Sequence, residues 1–430
     1  MLVNMRLKIW VFIFSICVFC CNCKKNQDQI PPSIVIQMPL SNSSFNLPNS
    51  IRIMGTASDN NLLKNIEIGI LNENLSPVVA DVQIELNDQE YSFDQTITID
   101  DRLIESGKYY ISVKVFDQQN NQSSSFREIT LSEIPKKFES LYIVTPTFGH
   151  TNLSSLDSNG VIELKYSFQG DFQKAIANSR HQYFFIGTDQ IGTAIEPNYF
   201  SSLWSVTPYL SPYEFFSEIS LSELGDQMHI VYGDGVIKSY NKNGNIVNTI
   251  YSDEQEWFGK IFMDDDVVIA EVFTSAVSRS LAAFFRTSGV EYQRVQIQGE
   301  VIQIGKISND LYFFLIKNQN VTKIYNYDMS TNVTWVENEL LSIVIYDAIF
   351  LENKIFFATN QGLIRYDYQT NSQVLVSNSI PFYEVKYESM SGGMVLNAGK
   401  QIWFYDQINV PTLTHSLNDS ICKIMLLYNK

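Results

Sequence analysis

Residues 347–377 read DAIFLENKIFFATNQGLIRYDYQTNSQVLVS, and this stretch decides the fold. Apolar runs are broken at Glu352-Asn353, at Asn360-Gln361-Gly362 and at Gln369-Thr370-Asn371. The stretch therefore parses as three or four short strands joined by polar hairpin turns. A single unit of this kind is a small antiparallel sheet with two apolar faces that it cannot bury alone. Several copies must stack on one another.

Looser copies recur from about residue 140 to the C-terminus. The most regular signal is an apolar run at 141–144, 183–186, 229–232, 267–270, 311–315, 354–358 and 393–396. Each lies about 42 residues from the next, the spacing of four-stranded propeller blades. A large side chain followed by a polar corner marks the hairpin between the two outer strands. Copies are Leu156-Asp157-Ser158-Asn159-Gly160, Tyr240-Asn241-Lys242-Asn243-Gly244 and Phe285-Arg286-Thr287-Ser288-Gly289. More divergent copies begin at Tyr327, Tyr366 and Tyr405, and residues 187–209 form the poorest unit.

The ends of the repeat carry a prediction of their own. The first unit starts at its second strand, and Ser420-Ile421-Cys422-Lys423-Ile424-Met425-Leu426-Leu427-Tyr428 matches the missing inner strand. The C-terminal strand is expected to complete the N-terminal sheet and so remove both free edges. Residues 134–430 resemble seven-bladed propellers of the quinoprotein and YVTN type in blade pattern, which implies a seven-bladed β-propeller.

Upstream, 33–38, 50–56, 65–71, 78–86, 91–99, 108–116 and 124–131 read as strands with period-two alternation. Seven short strands in 33–133 are what a β-sandwich requires. Thr56-Ala57-Ser58-Asp59-Asn60-Asn61 and Val115-Phe116-Asp117-Gln118-Gln119-Asn120-Asn121 resemble turns of bacterial Ig-like domains. That resemblance implies an Ig-like sandwich. Asp59 and Asp117 suit Asx-turns better than a shared calcium ion, so no metal is expected there. The fold class is therefore all-β, a sandwich followed by a propeller.

The first 23 residues read as an export signal, with Arg6 and Lys8 ahead of the apolar run 9–19 and then Cys20-Cys21-Asn22-Cys23. This resembles a bacterial lipoprotein signal, which implies acylation at Cys21, with Cys23 as the alternative, and a polar tether over 24–32. A lipid anchor of this kind implies an exported protein held at the outer membrane, periplasmic or surface-facing.

Composition narrows the function. The net charge of −16 argues against nucleic acid and strongly anionic surfaces as partners. Of five cysteines only Cys422 lies beyond the N-terminal cluster, where a buried thiol is expected and no disulfide framework exists. The four histidines, His150, His181, His229 and His415, have no metal-ligand spacing. No nucleophile elbow, phosphate loop or dinucleotide fingerprint occurs, and no catalytic residue, cofactor or metal is assigned. Asp264-Asp265-Asp266 reads as an acidic hairpin turn rather than a cation site.

One pattern points to a ligand. Phe215-Phe216, Trp257-Phe258, Tyr346 and Phe382-Tyr383, with Phe172 similarly placed, precede inner strands on what would be one propeller face. Aromatic rings there can stack on sugars or anchor a protein. Recurring residues more often do a recurring packing job, and the doublets leave room for one ring inward and one outward. The expected function is a membrane-tethered, non-catalytic binding module for a glycan or protein. The alternatives are a propeller-type polysaccharide lyase or glycosidase, with Glu254, Glu256, Asp347 and Glu384 near the right loops, or a scaffold subunit of an outer-membrane assembly.

Overall fold

The computed structural model describes residues 28–157, 160–206, 216–275, 277–318, 321–341, 343–377, 380–408 and 410–430. The chain divides into two compact units, the second spanning Lys136–Lys430. All 36 strands belong to sheets, and no helix occurs among the described residues.

The first unit packs two sheets around one core. A three-stranded sheet holds Ser33–Met38, Asn49–Ser58 and Glu90–Ile99. A five-stranded sheet runs in the order Ser43–Asn46, Gln122–Ser132, Gly107–Asp117, Leu63–Leu71 and Val82–Glu85. Alternation places Ile51, Ile53, Phe93, Ile66, Ile68, Ile111, Val113 and Ile129 in one continuous core. Two details depart from the sequence reading. Ser43–Asn46 is an additional strand paired in parallel with Gln122–Ser132, and the run at 78–86 contributes only Val82–Glu85.

The second unit consists of four-stranded antiparallel sheets. We number them by the position of their inner strand around the ring. Sheet 1 holds Lys423–Tyr428, Phe138–Thr147, His150–Leu156 and Ile162–Gln169. Inner strands of sheets 2 to 7 are Phe172–Asn178, Phe216–Leu221, Trp257–Met263, Glu300–Ser308, Ile345–Leu351 and Glu384–Glu388. Each inner strand touches those of the two neighbouring sheets, and Lys423–Tyr428 touches both Glu384–Glu388 and Phe172–Asn178. The contacts close a ring, a β-propeller arrangement.

The first and last strands of the second unit meet in sheet 1, as expected. Lys423–Tyr428 pairs antiparallel with Phe138–Thr147, Ile424 opposite Ile143 and Leu426 opposite Leu141. Further links fasten the seam: the Tyr428 N–H donates to Ser179 Oγ at 3.0 Å and the Ser389 N–H to the Tyr428 hydroxyl at 3.0 Å. Between each pair of neighbouring sheets lies a separate apolar layer. Phe184 and Met425 fill the one between sheets 1 and 2, and Phe356 and Leu396 the one between sheets 6 and 7.

The outer hairpins turn through one residue in the left-handed region. Glycine does this at Gly160, Gly244 and Gly289 (φ 82°, 76° and 69°), where Cβ would be strained. Asn332, Asn371 and Gln407 take the same place in the divergent copies (φ 55°, 50° and 68°). Sheet 2 has regular order despite its weak sequence signal, with short outer strands Gly192–Ile195 and Ser202–Val206.

Candidate functional site

Aligning the seven inner strands exposes a four-residue pattern: an apolar residue, a variable residue, a polar or charged residue, then an aliphatic one. The copies are Phe172-Gln173-Lys174-Ala175, Phe216-Ser217-Glu218-Ile219, Phe258-Gly259-Lys260-Ile261 and Val301-Ile302-Gln303-Ile304. The ring continues through Ile345-Tyr346-Asp347-Ala348, Phe382-Tyr383-Glu384-Val385 and Ile421-Cys422-Lys423-Ile424. In sheets 2 to 6 a register shift falls at the variable position, so a β-bulge turns the next side chain toward the axis. At Gly259 the bulge leaves no room for a side chain, since a Cβ would lie 2.2 Å from Glu271 Oε2.

The apolar first position packs the ring. Phe216, Phe258 and Phe382 are fully or almost fully buried in the layers between sheets. Their burial departs from the expectation of ligand contact and matches the recurring packing job. Phe215 lies outside the described residues, as do Cys21 and Cys23. Trp257 is half-buried against Phe273. Tyr346 and Tyr383 occupy the variable position in adjacent sheets, are each 43% exposed, and lie 5.0 Å apart between ring centroids. The doublet at 382–383 thus does split, one ring in and one out.

The third position lines a channel. A cavity of about 510 Å³ is bounded by Lys174, Glu218, Lys260, Gln303, Asp347 and Lys423, with Lys386 from the next inward position of sheet 7. Glu384 is buried and sits 2.9 Å from Lys423 Nζ and 3.3 Å from Lys386 Nζ, while its other oxygen accepts the Ile424 N–H at 2.8 Å. Asp347 accepts the Val385 N–H at 3.1 Å, and Gln173 accepts the Phe216 N–H at 3.0 Å. Each of these side chains satisfies a backbone donor of the next sheet, so the polar ring also stitches neighbours together.

Lys260 forms an ion pair with Glu218. Burial alone would push the Glu218 carboxyl up, but Lys260 and then Lys174 outweigh it and hold it below the usual carboxylate range. Glu384 behaves alike: desolvation is outweighed by Lys423 and Lys386. Lys423 is held ionised, with Glu384 and then Asp347 overcoming the cost of its burial. Cys422 is half-buried at the variable position beside the channel rather than in the apolar interior, and burial raises its thiol.

Other candidates take structural roles. Glu256 accepts two bonds from Arg294 at 2.6 and 3.0 Å, and Glu254 is exposed. Asp264 opens the acidic turn and is held by Lys306 at 2.7 Å and the Tyr312 hydroxyl at 2.5 Å. In the first unit Asp117 is fully buried and accepts the Gln119 and Asn121 N–H groups at 2.8 and 2.7 Å, as an Asx-turn does. Its carboxylate lies close to those of Asp28 and Asp59. His229 is buried against Ser239, and among the described residues no histidine lines the channel.

The channel charges escaped the sequence reading, apart from Asp347, noted with the buried Glu384 only as near the right loops. The signal was present as the four-residue pattern, but its spacing varies with each hairpin. No protein-family model matches the chain, and no curated relative emerges. Similar solved structures include BamB from Moraxella catarrhalis (9% identity, 66% of this chain and 92% of that one, TM-score 0.40). The C-terminal WD40 domain of Sif2 aligns at 8% identity over 73% and 93% (TM-score 0.44). The WD40 β-propeller domain of Doa1 aligns at 11% over 64% and 89% (TM-score 0.46).

Proposed function

We propose that this chain is an exported, lipid-anchored binding module. An Ig-like sandwich acts as spacer, and a seven-bladed propeller closed by its C-terminal strand engages a periplasmic or extracellular glycan or protein. The observation that carries the reading is the exposed Tyr346–Tyr383 pair, set in adjacent sheets just before the channel-lining Asp347 and the buried Glu384. Paired aromatic rings with an apolar face and a hydroxyl tip suit either a sugar or a hydrophobic side chain. Glu218 and Glu384 are both held ionised by lysines, which suits neither to the general-acid role that a glycosidase requires.

Glycan-array and pull-down measurements on the full chain separate the two ligand classes. Replacing Tyr346 and Tyr383 together by alanine is expected to weaken the ligand found by about tenfold or more. Undiminished binding would sink the aromatic mouth, and turnover of a polysaccharide would replace the binding module with an enzyme. Cys21→Ser is expected to move the protein from the membrane fraction to the soluble one. If Cys23→Ser alone does so, the acylated residue is Cys23.

A further inference from the structure

The channel is charged in a sense opposite to the protein. The chain as a whole carries −16, yet four lysines (Lys174, Lys260, Lys386 and Lys423) and two carboxylates (Glu218 and Asp347) line the channel, with Glu384 buried behind Lys423 and Lys386. The groups interact across the opening as well as along it, because Lys423 senses Glu384, Asp347 and Glu218, members of three different sheets. Two clusters share one design: Glu218 lies between Lys260 and Lys174, and Glu384 between Lys423 and Lys386.

Hydrogen-bond capacity is unbalanced in the same direction. Each ammonium brings three N–H donors and no acceptor. Asp347 and Glu384 each already accept a backbone N–H, from Val385 and Ile424 respectively. The four lysines therefore carry more donors than the two lining carboxylates can accept. A cavity of about 510 Å³ falls in the size range of small-ligand sites and is too large for these side chains to fill.

We propose that the channel is a binding site for a compact organic anion bearing two or more carboxylate or phosphate groups. The anionic oxygens bridge the two lysine–glutamate–lysine clusters, where low local dielectric strengthens charge-assisted hydrogen bonds. The same chemistry is available from a free small molecule and from an acidic segment of a partner polypeptide. This site is separate from the Tyr346–Tyr383 mouth and does not depend on it.

Isothermal titration of the full chain with citrate, and separately with a hexa-aspartate peptide, tests the proposal. One molecule per chain is expected, weakened by salt. Replacing Lys174 and Lys260 by methionine is expected to cost about tenfold in affinity for each. Binding of citrate alone identifies a free anion, and binding of the peptide alone identifies an acidic partner segment. Binding of neither overturns the proposal, as does equal affinity for K174M or K260M. Should those variants fail to fold, citrate trimethyl ester binding the unaltered protein as tightly as citrate does so instead. The glycan-array and pull-down measurements test the aromatic pair by themselves, so failure here and failure of that pair are distinguishable.

Discussion

The two units solve the same burial problem in different ways. The first presses two sheets onto one continuous core, in which Ile53, Ile66, Ile68 and Ile111 are wholly excluded from water. The second divides its apolar residues into layers, each shared by two neighbouring sheets. A core of the first kind is complete once its sheets meet. A ring of layers is complete only when the last sheet meets the first, so its stability depends on the seam at Lys423–Tyr428.

Deleting residues 421–430 therefore has the largest expected effect. It strips Ile424, Met425 and Leu427 from two layers at once. At about 1.5–3 kcal/mol for each buried side chain, the loss rivals the whole stability of a domain. Calorimetry is expected to show the propeller transition lost and that of the first unit retained. A propeller transition surviving intact would mean that the seam does not hold the ring.

A matched pair of core truncations sharpens the contrast. Phe93→Ala in the first unit and Phe356→Ala in the second both remove almost fully buried rings, each at a cost of about 3–5 kcal/mol. Each is expected to lower only its own melting transition. A shift of both transitions by either variant would mean that the units unfold as one.

Glu384→Gln ranks next. It leaves Lys423 and Lys386 facing an uncharged amide, at an expected cost of about 3 kcal/mol in denaturant titrations. A cost under about 0.5 kcal/mol would mean that the carboxylate does not stitch sheets 7 and 1.

The smallest effect is in acid. All four histidines lie in the second unit. Burial pushes His229 down to about 3, from an ordinary value near 6.5. Above pH 6.5 the imidazole is neutral in both states and carries no penalty. As pH falls below that, the unfolded chain takes up a proton that the folded one refuses, and stability drops by about 2 kcal/mol at pH 5. His229→Gln is expected to flatten this slope for the propeller and leave the first unit unchanged. An identical slope in the variant would place the acid sensitivity elsewhere.

Strand order in the second unit and the meeting of its first and last strands were legible because both rest on local patterns. Short apolar runs between polar corners require hairpins, and an unmatched inner strand requires a partner. The aromatic positions were only partly legible. Phe216, Phe258, Phe382, Tyr346 and Tyr383 look alike in sequence, yet the first three take the first position of the inner-strand pattern and are buried, while the last two take the next position and are exposed. One residue of register separates a buried ring from an exposed one.

Taken by itself, the sequence determined an all-β chain, its repeat and the strand that closes it, since alternation and turn chemistry act over a few residues. Only the tertiary structure decided which polar residues share a space. Lys174 and Lys423 lie some 250 positions apart and line one channel because seven inner strands converge on a common axis. Charges brought together that way interact through geometry that no spacing along the chain encodes.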